Sequence, residues 1–470
     1  MTNTAHATSA WRERLHARLA GQPVPLLILP DQIWTAASLW SGSQQWVRAF
    51  RAAGLQPGDR VVCALPAGAA FVQLLIASLW DGLSLAVVPT RDADSLLGQA
   101  GLSTLDARLL IRDEADGAHT CAPGSAGWPE AALPPLRVTR AAPTPDVRLL
   151  LRTTGTAGDA RWVALSDANL LSVIDSHAPR LALAQACVVS VLPWHHAFGL
   201  VLGLLTALLH ADEIVRDPTG GRDVAALLDL VASHPVTHMD LVPLLASRLA
   251  ADVRGAALLR GLRGGIVGGA PVSESLCTVL RATRLRVGYG QTEAAPGILL
   301  GEPGEWSDRF LGRAIGCDVR VDDDGVLAFR GANACVGVWT AGAFSREPSD
   351  RWVRTGDVVE AMSGDAYRLV GRASDSFKLS NGRFVDAARL EDQLRRVLPD
   401  AAELLLRAHG DEMLELLITS DVVPDAAHVR GVLGALGPRL ACVTSVPTDA
   451  WRRTPKGDVD RRAPVRDNAG

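Results

Sequence analysis

Thr153-Thr154-Gly155-Thr156-Ala157-Gly158-Asp159-Ala160-Arg161-Trp162-Val163-Ala164-Leu165-Ser166 follows directly on an apolar run at 147–151. A strand therefore feeds a loop of hydroxyls and glycines. Glycine lets the backbone turn so that successive N–H groups face one anion, and threonine hydroxyls add donors with little bulk. A Walker P-loop requires Gly-Lys-Ser/Thr running straight into a helix, whereas Arg161 is followed here by Trp162-Val163-Ala164-Leu165, which reads as a second strand. The commonest nucleotide-triphosphatase reading is excluded. Taken alone, the stretch fits a phosphate-holding turn and an ordinary Gly/Thr hairpin equally well.

The rest of the chain separates the two. In order, it carries Gly268-Gly269-Ala270-Pro271, Tyr289-Gly290-Gln291-Thr292-Glu293, Arg354-Thr355-Gly356-Asp357, Gly371-Arg372 and Lys378-Leu379-Ser380-Asn381-Gly382. Near the end stands Arg453-Thr454-Pro455-Lys456-Gly457-Asp458-Val459-Asp460-Arg461-Arg462. This succession resembles the ANL superfamily of adenylate-forming enzymes: acyl-CoA synthetases, peptide-synthetase adenylation domains and luciferases. The resemblance runs from Gly58-Asp59-Arg60 to Arg462. Each motif is weak by itself, and their shared order gives the resemblance its weight.

Composition agrees. A chain of 470 residues with 48% hydrophobic content can fill several cores, and its length suggests about three domain-sized units. A net charge of −4 leaves no electrostatic footprint for nucleic acid. Seven cysteines are scattered without a C-x-x-C pair, the pattern of reduced, buried thiols in a cytoplasmic protein. The first 21 residues include Trp11-Arg12-Glu13-Arg14 and lack the apolar centre of a signal peptide. The apolar stretch 198–209 is too short to span a bilayer and reads as a buried helix. Among 47 basic residues only Lys378 and Lys456 are lysines, and both fall inside motifs. Codon bias accounts for the arginines but not for where the two exceptions sit. A compact ammonium follows a moving oxygen better than a planar guanidinium does.

Periodicity supplies an outline. Residues 61–65, 71–80 and 85–89 read as strand, helix and strand, the alternation of a parallel sheet covered by helices. Residues 115–145 read as a connecting stretch. Strands at 188–192, 238–242, 265–268 and 285–287 follow, two of them ending in motifs, where open α/β sheets bind ligands. From Cys317 the pattern changes to hairpins, with Asp322-Asp323-Asp324-Gly325 as a solvated turn rather than a calcium loop. After Gly371-Arg372 come a helix at 387–398, strands at 403–407 and 414–420, a helix at 426–436 and a strand at 441–446. The fold class expected is α/β: a large N-terminal domain (1–373) of α/β sheets with a β-rich subdomain, followed by a small α+β C-terminal domain (374–470). The resemblance implies that the second domain is mobile about a hinge at Ser374, where a small polar residue absorbs the dihedral change.

The resemblance also assigns chemistry: a carboxylate attacks the α-phosphorus of ATP, pyrophosphate leaves, and an acyl-AMP results. Thr153, Thr154, Gly155, Thr156 and Gly158 would cradle phosphates, with Arg161 where the family usually has lysine. Thr292 would hydrogen-bond the α-phosphate, and Glu293 would hold Mg²⁺, a hard cation that prefers carboxylate and water. Tyr289 would stack on adenine opposite a wall of Gly268, Gly269 and Ala270. Asp357 would accept from the ribose hydroxyls and Arg372 would add a donor, although the two could instead form a surface ion pair. His196, in Pro193-Trp194-His195-His196-Ala197-Phe198-Gly199, stands at the family's gate to the carboxylate pocket. No aspartate occupies this segment, which points away from an α-amino acid and toward an aryl, fatty or other simple acid.

The sharpest departure is terminal. The family lysine that bridges substrate carboxylate and phosphate aligns with Asp458, and Lys456 stands two residues upstream. Lys378 matches a form tied to the second half-reaction. Two function classes follow: a ligase passing an acyl group to CoA, a carrier-protein phosphopantetheine or an amine, with an unusual oxyacid such as nitrite as a branch; or a non-catalytic adenylate-binding protein.

Overall fold

The computed structural model describes residues 2–92, 105, 107, 109–112, 144, 146–154, 160–340, 342–373, 376–379, 384–410, 412–452, 459 and 465. Three large sheets carry its first 372 residues. The hairpin expected at the opening motif is present: Val147–Thr154 pairs antiparallel with Ala160–Ser166, from Val147 opposite Ser166 to Thr154 opposite Ala160. It belongs to a seven-stranded sheet in which Ser84–Val87, Arg60–Ala64 and Leu109–Arg112 continue in parallel from its first strand. Gly337–Thr340 and Ala343–Arg346 complete its other edge.

A five-stranded sheet faces it, built on the parallel strands His238–Met239, Cys187–Ser190, Glu213–Arg216 and Pro25–Ile28, with Ile33–Thr35 at the edge. Helices fill the space between. Helix Ala36–Ala52 buries Leu39, Ser43, Trp46, Val47 and Phe50, one stripe at helical spacing, and Thr35 caps it by accepting from the Ser38 N–H. Helix Ala69–Asp81 is buried almost all round and ends at Gly82, whose φ of 78° suits a left-handed cap. One core takes Trp11, Leu15, Trp46, Phe50, Phe71 and Leu149 together with Leu27, Val188 and Ile214, so it joins both sheets.

The third sheet has eight strands. Ile266–Gly268 and Arg286–Tyr289 are parallel, and Leu299–Leu300, Phe310–Ala314, Ala366–Arg372, Val353–Ala361, Val326–Arg330 and Asp318–Val321 follow as antiparallel neighbours. The change to hairpins after Cys317 is thereby met, and Asp322 and Asp324 at the turn pair with Arg320 and Arg354. Beyond residue 384, Glu403–His409, Met413–Thr419 and Leu440–Ser445 form a three-stranded sheet under helices Ala387–Val397 and Ala426–Leu433, with a separate core of Leu379, Val385, Leu404, Leu416 and Val429. Arg309 reaches Asp386 at 2.6 Å across this junction.

Two elements depart from expectation. The stretch read as one buried helix is a π-helix over Phe198–Leu205 followed by an α-helix over Thr206–His210. The strand expected at 238–242 stops at Met239 because the Asp240 carboxylate accepts from the Ile266 N–H at 2.8 Å, a donor that an unbroken parallel ladder would give to a backbone carbonyl. The stretch 115–145 lies outside the described residues except at 144. No helix among the described residues is long and apolar enough to cross a membrane.

The base of the opening hairpin is fixed by a sealed ion pair. Arg148 gives Nε to Asp167 Oδ1 at 2.6 Å and Nη2 to Oδ2 at 2.7 Å, and its Nη1 reaches the Leu83 carbonyl at 3.1 Å. Arg148 is 1% exposed and Asp167 2%. Asp167→Ala is expected to cost about 3–5 kcal/mol, because it leaves an unpaired guanidinium in the interior. Urea unfolding at neutral pH checks this.

Candidate active site

The parallel pair Ile266–Gly268 and Arg286–Tyr289 aligns Gly268 with Gly288, so its carboxyl ends deliver Gly268-Gly269 and Tyr289-Gly290 to one place. There they line a narrow cleft with a cavity volume of about 50 Å³, closed by Phe198 and Leu202 of the π-helix, His177, Ile266 and Gly297. Gly290 is obligatory: a Cβ there would lie 1.4 Å from the Pro296 carbonyl oxygen. The structure thus brings Tyr289, Gly268 and Gly269 together. Ala270 is exposed and is not among the cleft residues.

Tyr289 donates its hydroxyl to Asp357 Oδ2 at 2.7 Å. Asp357 lies on the long strand Val353–Ala361, opposite Arg372 in register, and the Arg372 guanidinium approaches Asp357 Oδ1 at 3.2 Å. The two motif residues do form an ion pair, but not a surface one on the acid's side: Asp357 is 8% exposed. Thr355 Oγ1 accepts from the Asp357 N–H at 3.1 Å and donates to the Leu327 carbonyl, which fixes the carboxylate's strand. Burial, then the adjacent Asp357 charge, pushes the Tyr289 phenol strongly up and keeps it a donor.

Arg161 and Glu293 also meet. The Arg161 Nη2 contacts Glu293 Oε1, joining the second hairpin strand to the short turn Thr292–Ala294. The Cys335 N–H holds the Glu293 carbonyl at 2.8 Å. Thr153 Oγ1 and Arg161 Nε are buried without a hydrogen-bond partner among the described residues. Orphaned donors are costly in an interior, and these two stand at the ends of strands leading into the loop. Gly155, Thr156 and Gly158 lie outside the described residues, as does the Thr154 side chain.

His196 is exposed, and its ring stands 4.4 Å from that of His195. It is not among the cleft residues; Phe198, two positions on, is. Burial, with His196 and Arg91 adding to it, pushes His195 down to about 4, so it is neutral at physiological pH. Lys378 is the last residue of the strand Ser376–Lys378, and Lys456, Asp458 and Ser374 lie outside the described residues.

One residue that the motifs did not mark lines the cleft, and a second is hydrogen-bonded to the cleft residue Ile266 from outside the lining. His177, on helix Asp167–Leu181, is 2% exposed and lines it. Its Nδ1 is 2.9 Å from the Val173 carbonyl, which only accepts, so Nδ1 carries the proton and Nε2 the lone pair. Burial pushes it down to about 4. Asp240 follows the strand that ends at Met239, and burial pushes its carboxyl up to about 7, opposed by the Ile266 N–H. An acid at the fourth position of Thr237-His238-Met239-Asp240-Leu241, within an apolar strand, is the sequence signal that could have found it.

Comparison with known proteins bears on family and fold. Residues 20–335 match the model of the AMP-binding enzyme family. Feruloyl-CoA synthase of an Amycolatopsis species is 29% identical over 382 residues, covering 73% of this chain and 74% of that one. Anthranilate–CoA ligase of Pseudomonas aeruginosa is 28% identical over 390 residues, covering 75% and 74%. Among solved structures, the o-succinylbenzoate coenzyme A synthetase of Bacillus subtilis in complex with ATP and magnesium ion superposes with a TM-score of 0.71 at 18% identity, over 96% of this chain and 98% of that one. ATP-bound MatB of Rhodopseudomonas palustris gives 0.70 at 20% identity, over 96% and 97%.

Asp240 yields a pH prediction. Between 3.8 and about 7 its carboxyl is protonated in the folded chain and ionised in the unfolded one, so stability is greatest at the acid end of that window and falls as pH rises through it. Asp240→Asn removes this loss. It is expected to raise the melting temperature at pH 8 and to gain less at pH 5, measured by thermal unfolding in matched salt.

Proposed function

The chain belongs to the AMP-binding enzyme family, and from that premise we propose that it activates a carboxylic acid with ATP as an acyl-adenylate and passes the acyl group to a thiol. It is an AMP-forming ligase. A carboxylate oxygen of the acid attacks the α-phosphorus, the bond to the bridging oxygen breaks, and pyrophosphate carries away that electron pair. The thiolate of the acceptor then attacks the acyl carbon and AMP leaves. CoA is the acceptor favoured here, since feruloyl-CoA synthase and anthranilate–CoA ligase both carry CoA and an aromatic acid in their names. An aryl acid without an α-amine suits a cleft closed by Phe198 and Leu202.

The observation that carries the reading is the hydrogen bond to the buried Asp357 carboxylate from Tyr289, which lines one cleft with Gly268 and Gly269. A phenol ring on one side and bare backbone on the other admit a flat base, and a carboxylate beside the ring accepts from two ribose hydroxyls. Arg372 adds a donor on the same side. Thr153 Oγ1 and Arg161 Nε, both buried and unpaired, fit an incoming phosphate oxygen. In-line displacement at phosphorus depends mostly on such positioning and charge neutralisation.

Glu293 and Thr292 fit the α-phosphate end. The Glu293 carboxylate suits Mg²⁺, which when bound would neutralise charge on the triphosphate. Arg161 contacts the same carboxylate, so a cation held there would share it with a guanidinium. His196 serves as an outer gate rather than a cleft wall. Residues 374–470 act as a second domain whose reorientation brings Lys456 to the site for adenylation and Lys378 for transfer.

Asp357→Ala is expected to weaken ATP binding by about 5- to 150-fold, the effect of about 1–3 kcal/mol from unpaired buried donors. Isothermal calorimetry on folded protein checks it, and unchanged affinity would refute the ribose assignment. Lys456→Ala is expected to stop pyrophosphate release yet spare thiolysis of a supplied acyl-adenylate, with Lys378→Ala doing the reverse. Single-turnover assays of the two half-reactions decide the matter.

A further inference from the structure

We propose that the small C-terminal sheet carries a site for a zinc-type divalent cation, held by His409 Nδ1, the Glu415 carboxylate and Cys442 Sγ. It shares no residue with the adenylate cleft and does not depend on that reading.

Strand register brings the three together. Arg407 on Glu403–His409 stands opposite Glu415 on Met413–Thr419, and Glu415 stands opposite Cys442 on Leu440–Ser445. The acid is therefore on the middle strand, between an arginine and a cysteine. Side chains alternate along a strand, and Leu404, Leu406, Leu414 and Leu416 enter the core shared with the two helices. Arg407, His409 and Glu415 thus share the other face with Leu405 and Leu417, which belong to a separate cluster with Val446 and Trp451. Glu415 is nevertheless 6% exposed.

The spacings suit ligands better than hydrogen-bond partners. His409 Nδ1 is 3.5 Å from Glu415 Oε2, and Cys442 Sγ is 3.7 Å from Oε1. The first is too long for an ordinary N–H···O bond, and a thiol is a weak donor. Both distances match the about 3.3–3.7 Å between neighbouring ligand atoms around one tetrahedral zinc. The ligand atoms all lie within 4.8 Å of one another, and the half-exposed His409 ring can turn to close the remaining gap.

The carboxylate is already oriented. Thr444 Oγ1 donates to Oε1 at 2.6 Å and Arg407 Nε to Oε2 at 2.9 Å, as outer donors do for a ligating acid. Each carboxylate oxygen has a second lone pair to offer. Thiolate and imidazole select zinc over magnesium or calcium, which prefer oxygen. On binding, the Cys442 proton goes to solvent as the sulfur–metal bond forms, and no electron is transferred. Arg407 balances one of the two anionic ligands, so the ion keeps charge for a fourth ligand, water or a small anion, on the exposed His409 side. Such an ion ties the end of the first strand to the third strand across the second, a clip on the small domain.

The test uses the full chain, stripped by a chelator under a non-thiol reductant, with Co²⁺ as the spectroscopic probe. Co²⁺ is expected to give a near-ultraviolet thiolate-to-cobalt band and the visible absorption of a tetrahedral ion, both removed by Zn²⁺ and unaffected by excess Mg²⁺. Cys442→Ser is expected to abolish the thiolate band although the other cysteines remain. His409→Ala leaves the Arg407–Glu415 pair intact, which guards against a folding defect, and is expected to weaken Co²⁺ binding about tenfold or more. A folded wild type without the band, a band that survives Cys442→Ser, or an affinity unchanged in His409→Ala each overturns the proposal.

Discussion

The arrangement of the active site depends on a guanidinium and a carboxylate that never meet water. Arg148 and Asp167 close the base of the hairpin, where Val147 stands opposite Ser166, and the strands' other end leads into the glycine- and threonine-rich stretch. Ser166 is both the last residue of the second strand and the cap of helix Asp167–Leu181, with a reciprocal bond between it and Asn169. Strand, cap and ion pair thus fix one corner, and Asn169 extends it to the Ala332 and Ala334 carbonyls near the third sheet. A buried pair adds little net stability over a well-packed apolar one. Its effect is directional: the hairpin can sit on the helix in one way only, and that helix carries His177 to the cleft.

Charge in the cleft is arranged by the same logic. Glu293 has Arg161, and Asp357 has Arg372 and the Tyr289 hydroxyl, so each of these carboxylates has a counter-charge or donor in place. The resulting contacts cross from the first sheet to the third, and from one hairpin of the third sheet to its parallel edge. Asp240 differs. It takes one backbone N–H, at the expense of its own strand's ladder, and nothing among the described residues answers its second oxygen.

The π-helix belongs to this picture. Widened turns place Phe198 and Leu202 on the cleft while Gly199 keeps its neighbours close; a Cβ there would meet the Pro193 carbonyl oxygen at 2.4 Å. Such turns gather at functional sites because they re-aim side chains without ending a helix. Apolar content alone marks residues 198–209 as buried helix and cannot tell three and a half residues per turn from a wider winding.

Alternation and motif order in the sequence determined the strand, loop, strand hairpin, the parallel run before it, the hairpins after Cys317 and the small α+β unit at the end. They did so because period-two and helical patterns record local burial, and because glycine and threonine spacing records what a backbone turn permits. The same order of motifs pointed to the family. Tertiary structure alone decided which partners meet: Tyr289 with Asp357 across 68 positions, Arg161 with Glu293 across 132, and Arg148 with Asp167 at the hairpin's base. It also placed His196 at the surface and brought His177 to the cleft. Those outcomes depend on how sheets and helices stack in three dimensions, and a histidine on one helix reads in the sequence like any other until the element that covers it is known.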